Sequence, residues 1–306
     1  MKEDQTLTKM YSISLLALIA ATPAFAGSSD PLLVGDVEIM SPDVPAFGGH
    51  ITAYYGVSLV VDVTGNDEYH GTDFERIGVE GLVGRAGNGG FGWQLDGQYE
   101  TASFTDTLGP VAERFADTYA VTAHGYFDLA GFSVGGFAGA GQGEYTSHNI
   151  NASAYWYGLD AAKSFGDFAV SGQLGLATID SEIPQLGSEN QLFAAVEAHY
   201  FIGENLMIGA NAGIGHGAVY DNNFTYTEWG VDATMRLGQS NFYATAGCFG
   251  SSVNLESYGT GLEQNFFAGV SILFGGGLRE VYAGSTPMVG QSMIPYIAIL
   301  SGVNND

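Results

Sequence analysis

The feature that most constrains this chain is a two-residue rhythm. In FGWQLDGQYE (91–100), Phe91, Trp93, Leu95, Gly97 and Tyr99 fall on one parity, and Gly92, Gln94, Asp96, Gln98 and Glu100 on the other. Alternate residues of a strand point to opposite faces, so such a strand has one apolar and one polar face. The rhythm recurs from about residue 48 to 274. Val121, Ala123, Gly125, Phe127 and Leu129 share a parity, as do Phe168, Val170, Gly172, Leu174 and Leu176. The same holds for Leu192 to Tyr200, Leu206 to Ile214, Trp229 to Leu237, and Phe266 to Phe274. No long stretch has a helical period. No segment reaches the ~18 consecutive apolar residues of a membrane-crossing helix, so any membrane crossing must use strands.

The connections alternate in kind. Tight, Gly-centred turns are expected at 86–90 (AGNGG), 129–131 (LAG), 164–167 (SFGD), 203–205 (GEN) and 238–241 (GQSN). Gly and Asn reach positive φ cheaply, as hairpins require. Between them lie longer polar segments at 63–73, 101–117, 142–152, 178–190, 216–223 and 250–265. Five tight turns and six long loops imply about twelve strands. If PLLVGDVEIM and SMIPYIAIL also form strands, the number rises to fourteen. Tight turns spaced ~35–42 residues apart make a hairpin repeat. An antiparallel up-and-down meander with short connections at one end and long ones at the other is the pattern of an all-β transmembrane barrel.

Residues 1–26 have the features of a signal peptide: a short apolar run, Ile13 to Ala21, then Ala24-Phe25-Ala26 as a small-x-small cleavage site. The expected organisation is a signal at 1–26, a periplasmic or plugging segment at 27–47, a barrel at 48–274 and a tail at 275–306. The chain has 8 Lys plus Arg against 33 Asp plus Glu, a formal charge of −25. That balance argues against nucleic acid as a partner, because phosphates demand basic groups. The single cysteine, Cys248, excludes an internal disulfide framework and a multi-cysteine metal site, and reads as a small packed residue.

Charge placement follows the parity. Asp96, Glu100, Asp128, Glu197, Glu228, Asp232 and Arg236 all fall opposite the apolar face. A charge facing lipid near the bilayer centre costs up to ~2–4 kcal/mol, so this placement is required of a barrel, although a soluble β-sandwich would meet it too. The polar face discriminates better. It carries Gly, Ala, Ser, Asn and Gln with few acids, and only six basic residues follow residue 26, so it differs from a solvated sheet. Glu75 shares parity with Ile77, and Asp160 with Trp156, which leaves the facing of those two pairs open.

On these residues the chain resembles the porin-like outer-membrane β-barrels of Gram-negative bacteria. The resemblance covers residues 48–274 and rests on the signal, the hairpin rhythm and the aromatic-ended closing strand NFFAGVSILF (265–274). Such barrels use that strand for assembly, which implies the barrel-assembly machinery and outer-membrane lipid as partners. The resemblance also implies passive diffusion of small hydrophilic solutes. One departure is plain: 32 residues follow Phe274.

Twelve strands ~4.8 Å apart close at a backbone radius of roughly 12 Å, leaving a narrow or filled lumen. The expected pore-lining residues are Glu80, Asp96, Glu100, Asp128, Glu197, Glu228 and Asp232 against Arg76 and Arg236. Excess carboxylates attract cations, so an open pore of this kind is weakly cation-selective. Alternatively, the carboxylates are hydrogen-bonded in a closed barrel with a structural or adhesive role. His124 and His199 share the polar parity, and the six histidines have no metal-ligand spacing, so neither metal nor cofactor is expected. Gly131-Phe132-Ser133-Val134-Gly135 matches the G-x-S-x-G of a nucleophile elbow, but strand pattern continues on its C-terminal side. A non-enzyme is therefore expected. A lipid-modifying barrel enzyme would need a Ser-His pair assembled from separate strands.

Overall fold

The computed structural model describes residues 47–62, 72–85, 90–105, 114–129, 132–145, 150–181, 188–219, 222–255 and 259–283. The expected signal, the 27–46 segment and the extra strand candidates PLLVGDVEIM and SMIPYIAIL lie outside them. So does Gly131.

Twelve antiparallel strands form one closed barrel. They are β1 (Phe47–Asp62), β2 (Thr72–Arg85), β3 (Phe91–Thr105), β4 (Arg114–Leu129), β5 (Phe132–Tyr145) and β6 (Ile150–Phe165). Then follow β7 (Phe168–Ser181), β8 (Ser188–Ile202), β9 (Leu206–Val219), β10 (Asn222–Arg236), β11 (Phe242–Leu255) and β12 (Gly259–Phe274). Each strand pairs with its neighbours in sequence, and β12 closes on β1. Closure leaves no sheet edge, so every ladder position can be paired. Turns at Gly166, Gly203 and Gly238 have φ of 60°, 63° and 66°, the left-handed region that glycine enters without a Cβ clash.

The register fixes what faces where. Asp96 lies opposite Thr122, and Gln94 opposite His124. Both pairs point inward, which sends Phe91, Trp93, Leu95 and Tyr99 outward. Among the described residues, thirty large apolar or aromatic side chains are exposed, and every one of these that lies in a strand is on the outward parity. Phe91, Val121, Leu174, Ile214 and Phe266, from five different strands, are between 48% and 57% exposed. A soluble monomer rarely exposes more than a few hundred Å² of contiguous apolar surface. An apolar band around a closed, polar-lined sheet is the surface of a transmembrane β-barrel. Cys248, opposite Val231 and Phe266, is one of the small residues of this outer face.

The interior is partly filled. Phe137, Trp156, Ile179, Phe193, Phe224 and Tyr226 form one buried cluster toward the long-loop end. Leu82, Phe201, Met207, Tyr243 and Leu273 form a second at the short-turn end. After β12 the chain turns at Gly275 (φ 76°) into one helical turn, α1 (Leu278–Ala283), whose Leu278 and Val281 complete the second cluster.

Candidate functional site: the barrel interior

Residues of β1, β2, β3, β8, β9, β10, β11 and β12 surround a cavity of about 220 Å³ between the two apolar clusters. That is room for on the order of ten to twenty waters. Its lining includes Arg76, Glu80, Glu100, Glu197, Glu228 and Asp232, with His50, His199 and the aromatic rings of Tyr54, Phe249, Phe267 and Tyr282.

The acidic groups divide into two sets. Glu100 is tied down: Arg76 Nη1 donates to its Oε1 at 3.2 Å, and the Tyr54 hydroxyl donates to its Oε2 at 2.8 Å. The Arg76 guanidinium also lies 5.5 Å from the Phe249 ring centroid. Around the rest of the cavity, Glu197 meets His199 Nε2 at 3.1 Å. Glu80, Glu228 and Asp232 make no hydrogen bond or ion pair with described residues. The cavity lining therefore has one guanidinium, held by its own carboxylate, and a wall of carboxylates for which the imidazoles of His50 and His199 are the other basic groups, beside neutral side chains such as Gln98, Asn211 and Thr234. Tyr282, on α1, closes that wall. Burial first, and then the charges of Glu80, Asp232 and Glu197, hold its phenol well above the usual range, so it stays a neutral hydroxyl.

The other three expected lining residues are inward but outside the cavity. Asp96 belongs to a buried trio in which His124 Nε2 lies 2.8 Å from Asp96 Oδ2 and His124 Nδ1 lies 2.7 Å from Asp160 Oδ2. Gln94 Nε2 also donates to Asp96 Oδ1 at 2.8 Å. Asp128 accepts a 2.7 Å hydrogen bond from Ser133 Oγ. Arg236 bends toward its own turn, and its Nε donates to the Ser240 carbonyl at 2.8 Å.

Both open pairs are resolved. Trp156 and Asp160 face inward together, each about 99–97% buried. Trp156 Nε1 donates to Thr122 Oγ1 at 3.1 Å, which is how an indole N–H is satisfied inside a barrel. Glu75 points outward near the long-loop end of β2, beside Tyr55. Ser133 sits within a strand rather than at a strand-to-helix turn, so the G-x-S-x-G spacing is not a nucleophile elbow. Among the described residues, no three His, Cys, Asp or Glu side chains come together as a metal site.

His50, Tyr54, Asp160 and Tyr282 were not singled out from sequence as interior groups. The parity of β1 would have found His50 and Tyr54. Nothing in the pattern announces that Tyr282, beyond the last strand, returns to the lumen.

No protein-family model matches the chain. No curated protein is significantly similar to it in sequence either. Among solved structures it is similar to an outer-membrane channel from Pseudomonas putida F1, with a TM-score of 0.53 at 12% identity, over 79% of this chain and 100% of that one. It is also similar to the translocator domain of the autotransporter NalP from Neisseria meningitidis, with a TM-score of 0.45 at 12% identity, over 88% of this chain and 97% of that one. A third is the KdgM porin, with a TM-score of 0.39 at 12% identity, over 72% and 98%. The first of these likenesses is close enough to define the fold. The chain has the closed, antiparallel β-barrel fold that this channel also has.

Proposed function

We propose that the protein is a narrow outer-membrane channel of a Gram-negative bacterium, reached after removal of residues 1–26, that passes small hydrophilic solutes and prefers cations. The observation that carries this reading is the set Glu80, Glu197, Glu228 and Asp232, which line an interior space large enough for several waters, with no guanidinium or ammonium of their own. Buried carboxylates are normally paired, because desolvating a charge is costly. A wall of them facing a polar cavity is what a cation path requires, since it replaces part of the hydration a cation leaves behind. In the usual orientation of such barrels the short turns face the periplasm and the long loops the exterior.

A specific observation favours a second reading, a closed barrel with a structural role: the two apolar clusters occupy much of the interior. Single-channel recording of the refolded mature protein in planar bilayers, with a salt gradient across them, separates the two. Discrete steps with a cation-selective reversal potential support the channel. Stable insertion without conductance supports the closed barrel. An anion-selective reversal potential would overturn the assigned role of the carboxylates.

A further inference from the structure

Residues 278–283, which follow the last strand, do not leave the barrel. Leu278 and Val281, 1% and 5% exposed, pack on the inward side chains Leu82, Phe201, Met207 and Leu273. These belong to β2, β8, β9 and β12, so the helix bridges opposite walls of the mouth. Tyr282 reaches further in. Its ring stacks on His50 with centroids 4.9 Å apart and planes at 17°, and meets His199 edge-on at 5.2 Å. On the outer side, Arg279 Nη1 donates to the Gly166 carbonyl at 2.8 Å and Nη2 pairs with Asp167, both in the β6–β7 turn. The Glu280 carboxylate accepts from the Gly277 amide at 2.9 Å, closing the first turn.

A helix of six residues has no stability of its own in water, so its order comes from these contacts. Two apolar anchors, one stacked ring and one exposed ion pair are few beside the continuous ladders of the barrel. Elements held this way open locally at a fraction of the cost of global unfolding. The cavity of carboxylates lies directly behind them, and Tyr282 is part of its wall.

We infer that α1 is a stopper, a reversible closure of the lumen at the short-turn end, latched to the β6–β7 turn by Arg279. Its displacement admits solute to the carboxylate wall. The gating consequence rests on the channel reading above, whereas the closure itself does not.

The test uses the full chain with Cys248→Ser and Met207→Cys, refolded in detergent micelles. Met207 is 1% exposed beneath the helix, so a charged, membrane-impermeant maleimide reports whether the stopper is seated. Arg279→Asp is expected to speed labelling about two- to five-fold, the worth of an exposed ion pair. Adding Asp167→Arg restores the slow rate. Leu278→Asp is expected to speed labelling about thirtyfold or more, as the loss of a buried leucine implies. Equal rates in parent, Arg279→Asp and Leu278→Asp proteins, all with barrel circular dichroism, would overturn the stopper. Conductance of the same proteins separates the two readings. Faster labelling with no conductance in any variant keeps the stopper and removes the channel. Equal open fractions in parent and Leu278→Asp keep the channel and overturn the stopper as its gate.

Discussion

The Nδ1 of His124 lies 2.7 Å from Oδ2 of Asp160, across the inner wall of the barrel, with both side chains fully buried. The other ring nitrogen is equally committed, 2.8 Å from Asp96 Oδ2. The imidazole therefore joins β3, β4 and β6 through side chains, independently of the backbone ladder. His124→Ala would leave two buried carboxylates facing each other with no donor between them. Breaking a buried pair by removing one partner costs about 3–5 kcal/mol. Denaturant unfolding of His124→Ala in micelles should show a loss of that size. His124→Ala combined with Asp96→Asn and Asp160→Asn should recover part of it, because the repelling charges are gone. A loss within about 1 kcal/mol for His124→Ala would mean that the trio carries no such energy.

Removing the cavity's unpaired carboxylates should change selectivity more than stability. Glu80→Gln, Glu228→Gln and Asp232→Asn keep side-chain volume and leave no buried cation orphaned. Potentials of several kT at a narrow site change local ion concentration by about an order of magnitude. The triple variant should therefore move the reversal potential several-fold closer to zero, with an unfolding midpoint near that of the parent. A reversal potential that stays put would place the selectivity elsewhere. Glu100→Gln should behave differently, since it strips Arg76 of its 3.2 Å partner and lowers stability as well.

The outward face should be sensitive to charge by depth. Val196 and Val231 sit at mid-strand, 48% and 47% exposed, whereas Phe91 opens β3 at the short-turn end. Val231→Arg should cost about 2–4 kcal/mol in a lipid bilayer and Phe91→Arg about 0–1 kcal/mol. Unfolding from vesicles reads the difference. Equal costs at the two sites would contradict the placement of the membrane midplane near Val231.

Gly139 is a packing requirement. A Cβ there would lie 2.2 Å from Trp156 Nε1 and 2.7 Å from the Val121 carbonyl. Gly139→Ala must push the indole off Thr122 or open the β4–β5 ladder. Overpacking of this kind costs about 1–3 kcal/mol. Tryptophan emission, red-shifted as the indole meets water, together with a lowered unfolding midpoint, would report it. An unchanged spectrum and midpoint would show that the site has slack.

Much of the architecture is legible in the sequence, because a strand's two faces are a strict period of two and each error of register would invert both. Leu95 and Asp96 lie on opposite faces for that reason alone. Turn position is legible because Gly166, Gly203 and Gly238 hold φ values that other residues avoid. What an inward residue does is not legible in this way. Parity places Glu80 and Glu100 on the same wall, but only the fold shows that Arg76 and Tyr54 hold one of them and leave the other bare. Trp156 is the instructive case. Its shared parity with Asp160 leaves the facing of both open in the sequence, because an indole suits lipid and a carboxylate does not. Both point inward, because a barrel of twelve strands is narrow enough for its own side chains to fill. The placement of α1 depends on contacts with β1, β7 and β8, all far earlier in the chain, which no local pattern encodes.

The seam between β1 and β12 joins fourteen residue pairs. Across it the Thr52 and Ser271 hydroxyls meet at 2.8 Å, 219 positions apart in the chain. Every other ladder in the barrel is a hairpin that its two strands can form as neighbours. This one is the largest loop-closure event in the molecule and carries its entropy last. Until it happens, β1 presents a long unpaired edge, with Tyr55 and Val57 on its greasy side, to anything in the surrounding compartment. Such an edge is a template for pairing with the wrong chain. The vulnerability of this protein to aggregation is thus greatest at its first strand, and it is set by the time the last strand takes to arrive.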